Sequence, residues 1–590
     1  MPIIPGSRQT LQKIGRAIDA LIFLISIIGF AAVFIDAGNI RQDWLSAYDF
    51  IYLFCLISFL VLLLLRLYLE HFVFHKNRER LVSVFEIAIL IAVLVIRLNQ
   101  DAFGEGVRQY LQLAVSLIFL VQISKRSLAL EKLKVNPPLL FIFSFMILIL
   151  LGTLGLMLPI ATRGGLSFID ALFTSTSAVC VTGLTVVDTG THFTRFGQNI
   201  LLVLISLGGL GVMTFTSFFG LFFRGETSFR NQMIYKDFTG AEHISNVFST
   251  IVKIVAFTLS IELAGASVLF LSLSPSDFDG LGERVYFSLF HAISAFNNAG
   301  FQLKASGLYD ETLRHNYLFT TTIAFLIIAG GLGFAISFNL FRYFKARLQA
   351  RFRQWVYQES YRYIPRVLNF NSTIVLRTTA FLLVAGTLVF FATEYRGVLR
   401  EHEGIGKWLA AFFISVTPRT AGFNNIDLAM LSREGILITM LLMWIGASPG
   451  STGGGIKTST IAVATLGIFN YARGRDHVEF ARREVAEESL MRAFIIISLS
   501  LIMLGIATLA VTYFDPVFSL EKIAFEVFSA FGTVGLTLGI TPGLSVGSKL
   551  VIILTMFVGR VGAVTILLGL VKKARSHKLY KYPVESVTIT

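Results

Sequence analysis

Four times in this chain a short apolar stretch stops at a glycine, and a longer apolar stretch with glycines of its own follows. The first copy runs from Phe168 to Val179 into Cys180-Val-Thr-Gly183, and then reaches Gly208-Gly-Leu-Gly211. The second runs from Phe290 through Asn297-Asn-Ala-Gly300 to Gly330-Gly-Leu-Gly333. The third runs from Phe412 through Pro418-Arg-Thr-Ala-Gly422 to Gly446-Ala-Ser-Pro-Gly450. The fourth runs from Phe528 through Gly532-Thr-Val-Gly535 to Gly559-Arg-Val-Gly562. The loop glycines Gly183, Gly300, Gly422 and Gly535 recur about every 120 residues, which marks a repeated supersecondary unit.

Each unit reads as a long apolar helix, a half-length helix, a glycine-ended loop and a second long helix. A bilayer needs about 20 apolar residues per helical crossing, so the long helices can span and the short ones are re-entrant. Non-helical backbone survives at membrane depth only inside protein or facing water. Four such loops around one axis would offer rings of main-chain carbonyls able to replace the hydration shell of a potassium ion. Each short helix would aim its partly negative C-terminal end at the same place. The expected oxygens belong to Cys180, Val181 and Thr182; Asn298 and Ala299; Thr420 and Ala421; Thr533 and Val534. The four loop glycines permit the backbone angles and the close approach. Gly208, Gly211, Gly330 and Gly333 are assigned instead to close helix packing.

These loops, in this order, resemble the selectivity filters of the Trk/Ktr/HKT cation-transporter superfamily, most closely its bacterial TrkH and KtrB branches. Gly450-Ser-Thr-Gly-Gly-Gly-Ile-Lys457-Thr in the third unit resembles the same superfamily, and the likeness covers Asn136 to Lys573. It implies potassium uptake drawn by membrane potential, a homodimer, and a cytosolic nucleotide-binding regulatory ring of the TrkA/KtrA kind. In plant relatives a serine in the first loop accompanies sodium transport, so Gly183 implies a preference for potassium. A sodium-permeable or sodium-coupled member of the superfamily is the alternative.

Composition agrees with a membrane location. A chain 55% apolar and 15% charged is not a water-soluble globule. Its net charge of +14 sits between apolar spans, as the positive-inside rule requires, rather than in a nucleic-acid patch. Cys55 and Cys180 give no disulfide framework or metal spacing, and Cys180 reads as a small packed hydrophobe. No cleavable signal is expected, because the first apolar stretch is long.

Four spans are expected before the repeats, near Ala17–Ile35, Asp49–Leu69, Leu81–Ile96 and Tyr110–Ile123. Basic clusters at Arg8, Lys13 and Arg16, at His75–Arg80, and at Lys125–Lys134 place the N-terminus in the cytoplasm. The fourth span lacks an arginine ladder, so a structural bundle is expected rather than a voltage sensor. The division is an N-terminal membrane domain, 1–135; pore units at 136–235, 236–360, 361–480 and 481–575; and a cytoplasmic tail, 576–590. Outer helices are expected at Leu139–Leu158, Val247–Leu273, Val375–Thr393 and Met491–Tyr513. Inner helices are expected at Gln198–Phe222, Asn316–Leu340 and Val546–Leu570, with the third inner segment, Gly435–Tyr471, broken. The fold class is thus an all-α polytopic membrane protein of twelve spans with four pseudo-symmetric helix–loop–helix repeats around one pore. The basic segment Arg342–Arg366 and the tail at Lys572–Lys578 suit cytoplasmic loops, anionic membrane lipid, or the regulatory ring.

Proline and clustered glycines break the third inner helix. A nucleotide loop fails on spacing, since Ile456 stands where the motif needs glycine. The resemblance implies instead an intramembrane gate built from Gly450, Ser451, Thr452, Gly453, Gly454, Gly455 and Lys457. Arg560 lies within an apolar helix, where a charge faces a pore or a partner. It matches the family's arginine and is expected to donate to carbonyls of that loop. Asp188 and Asp427 suit either cation attraction at the outer mouth or ordinary loop solvation. His192 and His291 lack metal spacing, and His291 reads as a packed polar residue. No enzyme constellation and no organic cofactor are expected; an intramembrane enzyme using His291 and Arg560 would need acid–base geometry the spacing does not offer.

Overall fold

The computed structural model describes residues 5–37, 45–73, scattered positions between 87 and 122, and 137–211, 247–357, 368–475, 477–481 and 483–570. The expected span Leu81–Ile96 lies mostly outside the described residues and Tyr110–Ile123 partly so, and the tail lies outside them.

Helices α1 (Pro5–Ala37) and α2 (Leu45–Val73) pack on each other through Ile18, Ile22, Tyr52, Phe59 and Leu63. Arg66 pairs with Asp19 at 3.2 Å across that contact, and Asp36 accepts from Tyr52 and Gln112. These bonds join helices of one bundle.

The first unit comprises α3 (Pro137–Leu156), α4 (Phe168–Val179) and α5 (Arg195–Leu210). The second comprises α6 (Val247–Ser272), α7 (Leu281–Phe296), α8 (Tyr317–Leu332) and α9 (Phe334–Tyr357). The third comprises α10 (Phe370–Glu394), α11 (Ile405–Val416), α12 (Arg433–Trp444) and α13 (Thr458–Ala472). A two-residue hairpin, β1 (Glu479–Phe480) against β2 (Arg483–Glu484), leads into the fourth. That unit comprises α14 (Glu487–Phe514), α15 (Leu520–Gly532), α16 (Val546–Val561) and α17 (Ala563–Leu570).

The helices that follow the loops start alike. Thr194, Asn316, Ser432 and Ser545 each cap one with a side-chain oxygen that accepts a backbone N–H three residues on. Each of these helices then packs against the short helix of the next unit: α5 on α7, α8 on α11, α12 on α15, and α16 back on α4. The last of these contacts joins the two ends of the repeat region.

Among the described residues four helices are long and apolar enough to cross a membrane, or five if the bent pair α8–α9 counts as one span. The sequence predicts more continuous spans, and among the described residues three of the expected inner helices are interrupted or end early. The expected inner helix Asn316–Leu340 is broken at Gly333 (φ 82°), where α9 turns from α8 by 105°. The expected Val546–Leu570 is broken at Gly562 (φ 89°), and α5 stops at Gly211 (φ 78°). Left-handed backbone cannot continue an α-helix. Gly208 and Gly330 do pack closely, against the Val179 and Phe296 carbonyls. Gly211 and Gly333, expected to do the same, end helices, and Gly333 also lies close against the Pro449 and Gly450 backbone.

Candidate functional site

The four short helices end against one another, and their loops share one backbone course. Val181, Asn298, Thr420 and Thr533 have φ of 56°, 57°, 69° and 49°. Each stands two residues before a loop glycine, and those glycines have φ of 89°, 72°, 76° and 94°. A non-glycine residue in this region costs on the order of 1–3 kcal/mol and is rarest for a β-branched side chain such as Val181. The turn folds the next amide back onto its own helix. Thr182 N donates to Ser177 O at 2.7 Å, Ala299 N to Ser294 O at 2.7 Å, Ala421 N to Thr417 O at 3.0 Å and Val534 N to Ser529 O at 2.8 Å. In a planar trans peptide the carbonyl points opposite the N–H. The carbonyls of Val181, Asn298, Thr420 and Thr533 therefore face away from the helices that hold them.

The glycines are close neighbours in cyclic order. A β-carbon on Gly183 would run into the Ala299 carbonyl, on Gly300 into that of Ala421, on Gly422 into that of Val534, and on Gly535 into that of Thr182. All thirteen residues expected in the loops thus belong to one cluster, in which Cys180, Val181, Thr182, Asn298, Ala299, Thr420, Ala421, Thr533 and Val534 are fully buried. An open hollow lies against the four glycines, with Asp188 and Lys304 in its wall. Asp188 also accepts from Thr191 N and Oγ, while Asp427 caps a short turn at Ala429 N.

Beneath the loops lies the broken segment between α12 and α13. Gly453 packs on Thr420 and Gly454 on Thr533, whose hydroxyl also accepts from Gly454 N at 3.0 Å. The segment is held by main-chain oxygens near the C-terminal ends of other helices. Thr452 N donates to Gly330 O, Ser448 N to Gly331 O, and Gly455 N to Gly559 O. Phe334 N, just past the break in the second unit, donates back to Gly450 O. Ser451 is tied locally to Ser448 O at 2.6 Å, and Lys457 Nζ donates to Gly453 O at 2.6 Å. Arg560 donates to two carbonyls, Thr452 in the broken segment and Gly208 in α5. One side chain of the fourth unit thereby bridges the third and the first.

His291 lies apart from this bridge: its Nδ1 contacts Phe287 O at 2.8 Å and its ring packs among Phe287, Phe290 and Phe319. His192 contacts Gly165 O. Among the described residues no cluster of three or more His, Cys, Asp or Glu could hold a metal.

The loop hydroxyls escaped sequence reasoning. Ser177 and Ser529, each six residues before a loop glycine, accept the N–H of Gly183 and Gly535 at 3.0 Å. Ser294 and Thr417 do the opposite and donate to Phe301 O and Phe423 O. The offset alone was no signal, since Ser294 also stands six residues before its glycine and donates instead. Glu526, fully buried in α15, was also missed.

The profile of the family TrkH, described as cation transport protein, matches residues 132–582. The chain is 39% identical over 464 residues to the potassium/sodium uptake protein NtpJ of Enterococcus hirae, covering 77% of this chain and 98% of that one. It is 37% identical to the Ktr system potassium uptake protein B of Bacillus subtilis, covering 75% and 95%. The solved potassium transporter TrkH of Vibrio parahaemolyticus superposes with a TM-score of 0.59 at 17% identity, covering 83% of this chain and 96% of that one, a likeness of fold.

Proposed function

The chain belongs to the TrkH family of cation transport proteins, and from that premise we propose that it takes up potassium across the plasma membrane through one pore per subunit. Four pseudo-symmetric loops form the selectivity filter. The carbonyls of Cys180, Val181 and Thr182, Asn298 and Ala299, Thr420 and Ala421, and Thr533 and Val534 strip water from the ion, and Gly183, Gly300, Gly422 and Gly535 allow them to converge. Membrane potential drives entry, worth about 2.3 kcal/mol per charge per 100 mV. The observation that carries the reading is the cyclic adjacency of the four glycines, each two residues after a left-handed turn.

The segment Gly450–Gly455 with Lys457 is the gate, and Arg560 latches it across the conduction path through the Thr452 carbonyl. A cytosolic nucleotide-binding ring of the TrkA/KtrA kind controls that gate, the protein works as a homodimer in membrane lipid, and both termini are cytoplasmic. The relatives named for potassium uptake support the cargo. A second reading, sodium permeation, is favoured by the name potassium/sodium uptake protein of the Enterococcus relative.

The test is rubidium and sodium flux in cells lacking potassium uptake. Rubidium should enter well ahead of sodium, Gly183→Ser should raise the sodium share, and Arg560→Ala should raise flux and weaken its control. Equal rubidium and sodium rates in the parent overturn potassium selectivity. Unchanged flux in Arg560→Ala at normal expression removes the latch.

A further inference from the structure

The hollow against the four loop glycines carries two charged side chains in its wall, Asp188 and Lys304. They are held differently. Asp188 Oδ1 accepts from Thr191 N and Oγ, so its carboxylate is fixed by its own turn. Lys304 stands four residues after Gly300, and its ammonium lies 3.6 Å from Asp310, which is not in the wall. Among the described residues Asp310 is the one carboxylate within ion-pair reach of Lys304. Glu401, on the far side of the same turn, is taken by Arg314 at 3.2 Å.

The Asp310 carboxylate is set in place without the lysine. Its Oδ1 accepts from Thr312 N at 3.2 Å and from Thr312 Oγ at 2.7 Å, and its Oδ2 faces Ser306 Oγ at 3.5 Å. Burial pulls its pKa upward, but the Thr312 bonds and then the Lys304 ammonium outweigh that and hold the carboxyl below the usual range. It is therefore charged at neutral pH. Lys304, by contrast, carries its charge at the tip of a flexible four-carbon stem. The two side chains are 34% and 24% exposed, and pairs near the surface add little stability. What the pair does decide is charge and its position. Two carboxylates against one ammonium leave a net charge of −1 beside the hollow, and without Asp310 the balance is zero.

We propose that Asp310 is a positioning residue for Lys304: it draws the ammonium out of the ion path and keeps the field at the hollow favourable to cations. Without Asp310 the ammonium is free to swing over the glycines. There it repels an arriving alkali ion of the same charge and competes with it for the same place. The inference rests on the filter reading, with the hollow as the entrance. It adds a positive charge that works against permeation unless it is tied back. A field at the entrance acts on arrival, so its loss should weaken capture of dilute ions more than the maximal rate.

The test is rubidium uptake against concentration at low ionic strength for Asp310→Asn, Lys304→Gln and the double variant, with Gly183→Ser as reference. Asp310→Asn should raise half-saturation about three- to tenfold, with maximal rate per folded protein within about twofold. Lys304→Gln should lower half-saturation by up to about twofold, and the double variant should match Lys304→Gln rather than Asp310→Asn. Asp310→Glu should restore most of the parent value. Raising ionic strength from about 10 to about 150 mM with N-methylglucamine chloride should shrink the Asp310→Asn effect, because the screening length falls from about 30 to about 8 Å. A role for Asp310 in the turn alone raises half-saturation equally in the single and the double variant. That result, or an unchanged half-saturation in Asp310→Asn, overturns the proposal. The sodium share of Gly183→Ser reports separately: altered, it leaves the filter standing whatever Asp310 does; unaltered, it overturns the filter reading itself. If Asp310→Asn fails to fold, Asp310→Ser, which keeps an acceptor for Thr312 N, decides by the same comparison.

Discussion

Where the fourth unit meets the first, Lys549 of α16 donates to Asp170 of α4 at 2.7 Å, joining residues 379 positions apart. Where the second meets the third, the contacts are softer and more numerous. Tyr317 meets His402 Nδ1 at 3.3 Å, Arg314 pairs with Glu401 at 3.2 Å, Asn298 Nδ2 donates to Thr420 Oγ at 3.0 Å, and Gln302 donates to Asn424. The loops differ in the same grouping. In loops one and four a serine hydroxyl accepts the glycine N–H; in loops two and three a hydroxyl donates to the carbonyl after the glycine. The closing join between two distant parts of the chain is one buried apolar cluster running from Ala171, Phe173 and Val179 into Val527, Phe531, Ile552 and Met556, with the half-buried Asp170–Lys549 pair beside it. The internal join ties neighbouring loops directly through their side chains.

The largest expected difference lies in those hydroxyls. Ser177→Ala or Ser529→Ala leaves a buried N–H without a partner, at about 1–3 kcal/mol. Ser294→Ala or Thr417→Val removes a donor from a carbonyl, and carbonyls tolerate under-satisfaction better, so about 0.5–1.5 kcal/mol is expected. Thermal unfolding in detergent and the sodium share of flux should both move further in the first pair. Equal shifts in all four variants would erase the distinction between the loop groups.

Much of this was visible in the chain before its structure. The four short apolar stretches, the glycine after each, the interruption at Pro449 and the apolar helix around Arg560 depend on composition and spacing, which sequence records directly. The helix breaks were not visible. Gly-Gly-Leu-Gly in an apolar run reads equally as a packing seam and as a stop, and it is both: Gly330 packs on Phe296 O while Gly333, at φ 82°, ends the helix. The left-handed Val181 was hidden for the opposite reason: β-branched residues disfavour that conformation, so the identity of the residue argued against it. Ring order, and the hydrogen bond from Thr537 to Glu526, depend on tertiary contact. Repeats alone do not state which loop neighbours which.

A smaller effect separates the two joins that involve the first unit. Asp170 and Lys549 have side chains 23% and 13% exposed, while Arg195 and Glu283, between the first unit and the second, are 3.8 Å apart and 52% and 41% exposed. Lys549→Gln leaves Asp170 without its partner and should cost about 1–2 kcal/mol, below the figure for a deeply buried pair. Glu283→Gln should cost about 0–1 kcal/mol, since exposed pairs contribute little. A double-mutant cycle on each pair, read by thermal unfolding, measures the difference. A coupling at Arg195–Glu283 as large as that at Asp170–Lys549 would show that ring closure does not depend on burial.

The smallest effect concerns acid. His402 lies in the turn before α11, 1% exposed, with His315, Arg314, Glu401 and Tyr317 around it. Burial first, and then the neighbouring His315, hold its imidazole below the usual histidine range, against the opposing pull of Glu401. A histidine depressed in the folded state favours its neutral form there. Its contribution to stability is therefore full above the unfolded value of about 6.5 and is lost as pH falls through that value toward the folded one. Acidification should loosen the join between the second and third units and leave the Asp170–Lys549 join closed. The measurement is unfolding temperature at about pH 7.5 and about pH 5.5 for the parent and for His402→Gln. The parent should lose more on acidification than the variant. Identical losses would place the acid sensitivity elsewhere and remove the chemical contrast between the two joins.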